Sequence, residues 1–207
     1  MAYLEYAQQR TVRNPGRTAK GADKRMRAAL AVAPGAAGGI AWTDSDGTTH
    51  AIPMPDGMTA QTDALRGIVA ARPDITATME RTGGYMPGNS GPAACKFARH
   101  CGHIESALYC MGVPTTQVAP QTWQKHLGAL PKDKPDRKRA IREAMARLYP
   151  TVSVTLKTAD ALAILTWRRS QWQTAPEAQK RPLNASRGLD AAKYVQPPQG
   201  RLAAPVA

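Results

Sequence analysis

Residues 30–43 read Leu30-Ala31-Val32-Ala33-Pro34-Gly35-Ala36-Ala37-Gly38-Gly39-Ile40-Ala41-Trp42-Thr43. Two short apolar runs are split by a Pro-Gly and a Gly-Gly pair. Leu30 to Val32 reads as a strand stopped by Pro34-Gly35, and Gly39 to Thr43 as a second strand. The second is stopped by Asp44-Ser45-Asp46-Gly47, a cluster of turn-forming residues. Thr48 to Met54 forms a third strand, bounded by Pro55 and Asp56-Gly57. Connections this short bring consecutive strands back antiparallel, so the three make a meander.

Beyond the meander the period changes. Thr62 is expected to cap a helix carrying Leu65, Ile68, Val69 and Arg72, which Pro73 stops. Ile75 to Met79 reads as a fourth strand ending at Glu80. Phe97, Cys101, Ile104, Leu108 and Met111 recur at steps of three and four, giving a long helix with one apolar face that Gly112 ends. Thr115 to Val118 is a fifth strand. Asp136 is expected to cap a helix with Ala140, Ile141, Ala144, Met145 and Leu148 on its face, and Pro150 ends it. A last helix starts near Thr158 with Ala159, Leu162, Ala163 and Thr166. The order is β-β-β-α-β-α-β-α-α. Strands one and four are placed in one mixed sheet with helices on its faces, an α/β fold.

The chain of 207 residues is long enough for a core without disulfide staples. No apolar run reaches membrane-spanning length, and MAYLEYAQQRTVRNPGR lacks the apolar core of a secretion signal, so neither a membrane nor an exported location is expected. Three cysteines, Cys95, Cys101 and Cys110, fit a reducing, cytoplasmic setting better than a disulfide framework.

The net charge is +13, and it is uneven. Residues 1–29 and residues 168–207 each carry seven basic and two acidic side chains, leaving about +3 for the middle. Both ends are also rich in Gly, Pro and polar residues. The expected organisation is a basic flexible arm over 1–28, a folded domain over 29–172 and a basic flexible tail over 173–207. A chain with two basic ends suits a polyanion, and nucleic acid before a membrane surface, since neither end is strongly amphipathic.

Three stretches carry chemistry. Ala31 to Gly39 leaves strand one, Met79-Glu80-Arg81 leaves strand four, and Lys157-Thr158-Ala159-Asp160-Ala161-Leu162 opens the last helix. Each carboxylate alone has an ordinary explanation. Asp160 suits a first helical turn, and Glu80 could be a solvated strand end. Taken with the strand order, they form a pattern.

On these residues the chain resembles the RuvC-like Holliday junction resolvases, which have an RNase H-like fold, over about residues 29–172. The family leaves strand one with a stretch like Asp-Pro-Gly-x-x-Gly-Gly, read here as Ala33-Pro34-Gly35-Ala36-Ala37-Gly38-Gly39. Its strand-four Glu matches Glu80, and its final Ala-Asp-Ala-Leu matches Ala159 to Leu162. Pro120-Gln121-Thr122-Trp123-Gln124-Lys125 is similar to a Pro-x-x-Trp-x-Lys segment of phage-type members.

The resemblance implies a five-stranded mixed sheet, three antiparallel strands first. It also implies an endonuclease that cuts four-way DNA junctions as a homodimer, with Mg²⁺ (or Mn²⁺ in its place) and no nucleotide cofactor. The implied catalytic positions are 33, 80, 157 and 160, with metal held at 33, 80 and 160. Two Mg²⁺ about 4 Å apart can serve the attacking and leaving oxygens of a phosphodiester, and Mg²⁺ takes hard oxygen ligands.

Two residues depart from the pattern. The family's first Asp falls on Ala33, which has no ligand oxygen, so the resemblance implies an inactive variant. The intact flanking motif favours an engineered change over a natural loss. Lys157 stands where members carry an Asp or His; it either orients water or phosphate, or touches DNA backbone.

DNA contacts are expected from Arg81, Lys96, Arg99 and Lys125, and from Lys132, Lys134, Arg137 and Lys138 in the basic run 132–139. Tyr85 and Met86, in the Gly-rich stretch 83–91, are expected to wedge between unstacked bases. The apolar stripe from Phe97 to Met111 is expected to be shared between the core and a two-fold partner. Zinc binding by Cys95, His100, Cys101, His103 and Cys110 is disfavoured by their helical spacing, which makes Cys101 a core residue. His50 and His126 are expected at the surface without partners. Two other functions are weighed beside the nuclease: a junction-binding protein without catalysis, and the nuclease domain of a transposase, whose additional domains the chain does not show.

Overall fold

The computed structural model describes residues 28–44, 46–82 and 90–174. The expectations for residues 1–27 and 175–207, and those for Tyr85 and Met86, lie outside the described residues, whereas residues 168–174 continue the last helix.

Strands β1 (Ala29–Ala33), β2 (Gly39–Thr43) and β3 (Thr49–Pro53) are followed by helix α1 (Met58–Ala70) and β4 (Thr76–Glu80). Then come α2 (Gly91–Cys110), β5 (Thr115–Val118), α3 (Pro120–Lys125), α4 (Lys134–Leu148) and α5 (Ala159–Thr174). One sheet holds all five strands in the order β3-β2-β1-β4-β5. β1–β2 and β2–β3 are antiparallel, and β1–β4 and β4–β5 are parallel. This is the RNase H-like arrangement, with the meander at one side and two crossover strands at the other.

Strand alternation sorts the core into two layers. Leu30 and Val32 of β1 point to a layer with Ile40, Leu65, Ile68, Met79, Cys101, Ile104 and Leu108, beneath α1 and α2. Ala29, Ala31 and Ala33 point the other way, onto Ala159, Ala161, Leu162 and Leu165 of α5. Three alanines on that face leave room for a helix backbone to come close. α5 accordingly packs across β1, β2 and β4, and residues 159 and 161–165 are buried almost all round. Helices α3 and α4 complete this layer with Trp123, Ile141 and Met145.

The apolar stripe of α2 is used by the chain itself. Cys101, Ile104 and Leu108 are buried against the sheet and α1, with Phe97 and Met111 packed at the margin. What α2 leaves in solvent is a different face, where Tyr109 is 84% exposed.

Several local expectations are corrected. α1 starts at Met58, not at Thr62, whose hydroxyl donates back to the Met58 carbonyl at 2.9 Å. α4 is capped by Asp133, whose carboxylate accepts from the backbone N–H of Asp136; the basic run therefore straddles the helix start, with Lys132 before the cap and the rest within α4. Helix α3 has no counterpart in the sequence pattern, because its only large apolar side chain, Trp123, supplies no period, yet that indole is fully buried. His50 has partners. Its ring stacks on Trp42 (centroids 5.2 Å apart) and its Nε2 lies 2.9 Å from Asp44 Oδ2. Arg72 closes the cluster, its Nε donating to Asp44 at 2.5 Å and its guanidinium lying over Trp42. This network ties the β2–β3 turn to the end of α1, at the opposite end of the sheet from Ala33. Among the described residues no helix is long and apolar enough to cross a membrane.

Candidate active site

β1 and β4 run parallel with Val32 opposite Met79, so the next residues, Ala33 and Glu80, end adjacent strands side by side. Both lie on the face covered by α5, since Val32 and Met79 belong to the other layer. The chain leaves β1 toward β2 on one side and reaches β4 on the other. The carboxyl ends of strands at such a divergence form the customary ligand crevice of open α/β sheets.

Two glycines shape the surroundings. Gly35, at φ +101°, turns the chain after β1, and a Cβ there would stand 2.9 Å from the Phe97 ring. A Cβ on Gly39 would meet the Lys157 carbonyl oxygen at 2.7 Å. The bare backbone of Gly39 is what lets the approach to α5 lie against β2.

That approach is fixed by a local knot. Thr158, buried, accepts at its hydroxyl from the Thr155 N–H at 2.9 Å, while the Thr155 carbonyl accepts from Ala159 N–H at 3.0 Å. Asp160 then falls in the first turn of α5, where its charge complements the helix dipole.

The two carboxylates share one half-buried environment. Glu80 is pushed up to about 7, first by burial and then by the negative charge of Asp160, with Lys138 partly opposing both. Asp160 is also raised by burial, against the pull of Lys138 and then Arg137. Lys138, from the second turn of α4, places Nζ 3.6 Å from Asp160 Oδ2.

The residues do not fit a two-metal centre. Ala33 is 2% exposed and offers a methyl group, with no ligand oxygen, where the resemblance implies a metal-binding carboxylate. No group of three His, Cys, Asp or Glu residues suited to a metal ion occurs among the described residues. Zinc through the α2 cysteines is not supported either. Cys101 is buried, with the Thr82 hydroxyl 3.5 Å from its sulfur, while Cys95 and Cys110 are exposed.

Most of the other expected site residues face solvent. Lys157 is exposed beside Thr158. Arg81 is exposed, its backbone N–H bound to the Val118 carbonyl at 2.7 Å. Lys96, Arg99, Lys125, Lys132 and Lys134 are exposed. Arg137 is half-buried and donates to the Lys132 carbonyl at 2.8 Å, bracing the loop before α4. The basic run thus divides: two lysines face solvent, Arg137 holds backbone, Arg139 pairs with Asp136 at 2.7 Å, and Lys138 sits on a site carboxylate. The pairing of Lys138 with Asp160 spans 22 residues and two helices, and no local pattern announces it.

No protein-family model matches the chain, and no curated protein matches it. Among solved structures it is similar to Thermus thermophilus RuvC in complex with a Holliday junction substrate, at 13% identity and a TM-score of 0.49, covering 72% of this chain and 96% of that one. It is similar to a second Thermus thermophilus RuvC structure at 12% identity and a TM-score of 0.45, covering 70% and 95%. The fold assignment rests on the chain's own strand order and register.

Proposed function

We propose that this chain is a structure-selective DNA protein of the junction-resolvase type, an endonuclease scaffold for four-way junctions that Ala33 deprives of metal-dependent phosphodiester hydrolysis. One observation carries the reading: the register sets Ala33 beside Glu80 at the carboxyl end of the sheet, with Asp160 brought to the same place by α5. Those are the positions at which the resemblance requires three carboxylates. The net charge of +13 and the exposed lysines on α2, α3 and α4 support a polyanionic ligand. When bound, Mg²⁺ would supply charge stabilisation for hydrolysis; with alanine at position 33, only Glu80 and Asp160 would hold it. Assembly as a homodimer in a cytoplasmic, nucleoid setting belongs to the same proposal.

The test is binding without cleavage. Fluorescence anisotropy in EDTA should give tighter binding to a synthetic four-way junction than to a linear duplex of equal length. Equal affinity for the two would overturn the proposal.

A further inference from the structure

We propose that Lys138 is the resident cation of this site: its ammonium balances the Asp160–Glu80 pair and keeps divalent ions out. The inference rests on the site assignment above but not on the DNA ligand.

Lys138 Nζ is 3.6 Å from Asp160 Oδ2, and the two side chains are only 32% and 19% exposed. An ion pair half-shielded from water is screened less than a surface pair. The lysine is held there by its helix. Asp133 fixes the start of α4, and Ile141 and Met145, further along it, are buried against the layer of α5. The lysine stem therefore leaves a backbone anchored on both sides of it.

The charges also match. With alanine at position 33 the site holds two carboxylates, both partly desolvated. The same ammonium lowers the cost of charge on each of them, and it is the strongest favourable partner of Asp160. One lysine with Arg137 nearby comes close to neutralising that pair. A third carboxylate would leave an excess of negative charge that one lysine cannot match, and a divalent ion would then gain entry. Mg²⁺ and Mn²⁺ must displace Nζ to reach Asp160 in this chain, in addition to shedding water.

The experiment is a Mn²⁺ titration of the protein alone, without DNA, following the electron paramagnetic resonance signal of free Mn²⁺. This chain should bind weakly. Lys138→Met should bind about tenfold more tightly, the effect of removing one half-shielded charge some 4 Å away. Lys138→Arg, which keeps the charge and serves as the folding control, should match the parent. Adding Glu80→Gln and Asp160→Asn to Lys138→Met should erase the gain. Affinity unchanged or weakened in Lys138→Met, beside a folded Lys138→Arg, would overturn the proposal, as would a gain that survives loss of both carboxylates. Because no DNA is present, failure here leaves the junction-binding result standing, and the reverse holds too.

Discussion

The charge on Asp160 disfavours charge on Glu80: the first turn of α5 and the last residue of β4 bring two carboxylates into one half-buried site. Each then costs the fold something when ionised, and the cost is measurable.

Glu80 gives the pH prediction. Burial and the charge of Asp160 push it up from the ordinary carboxylate value of 4.5 to about 7 on folding. The folded state holds the proton more tightly, so the Glu80 contribution to stability is full below pH 4.5 and is lost as pH rises through about 7. Glu80→Gln mimics the protonated form. Urea unfolding should show no gain at pH 4 and a gain growing to roughly 2–3 kcal/mol at pH 8. A gain of equal size at both pH values would remove burial of the charge as its cause.

Asp44 makes a separate prediction about the opposite end of the sheet. Its carboxylate accepts from both His50 and Arg72, and all three are partly buried. Asp44→Ala removes the anionic partner of Arg72, leaving it the Ile68 carbonyl at 3.1 Å, and should cost about 1–3 kcal/mol in thermal or urea unfolding. Preference for a junction over a duplex should be unchanged, because the network lies a full strand length from Ala33. A variant that keeps its stability but loses junction preference would put the DNA surface at the wrong end.

Much of this architecture is legible in the sequence, and for physical reasons. Short apolar runs between Pro, Gly and Asp clusters leave few alternatives to the meander. The stripe from Cys101 to Leu108 defines α2 by period alone. What escapes is tertiary. Thr62 and Asp136 are caps by residue type, yet Gly57 and Asp133 hold those places: Asp133 accepts from the Asp136 N–H, and Pro135 lies in the first turn behind it. Trp123 is a lone aromatic in a polar segment, and only the layer of α4 and α5 around it makes it core. The carboxylates at 80 and 160 are visible through motif and strand order. Their cation is not, because Lys138 lies in a run of basic residues that all read alike.

The basic ends bear on affinity. Residues 1–27 and 175–207 carry about +8 of the net charge, from twelve basic and four acidic side chains. Removing residues 1–27 and 175–207 should flatten the slope of log affinity against log salt, by about 0.9 for every phosphate those ends neutralise. Junction preference should survive. If the slope is unchanged, those ends do not touch DNA; if the preference disappears, they set selectivity as well as affinity.

Position 33 is the centre of the account, and cleavage of a labelled four-way junction with Mg²⁺ or with EDTA is its most direct measurement. This chain should give no nicking above the EDTA background. Ala33→Asp should restore Mg²⁺-dependent nicking by several orders of magnitude, since metal-stabilised charge is worth several kcal/mol in the transition state. Adding Glu80→Gln or Asp160→Asn should abolish it again. Equal Mg²⁺-dependent cleavage by this chain and its Ala33→Asp variant would contradict the assignment of the site.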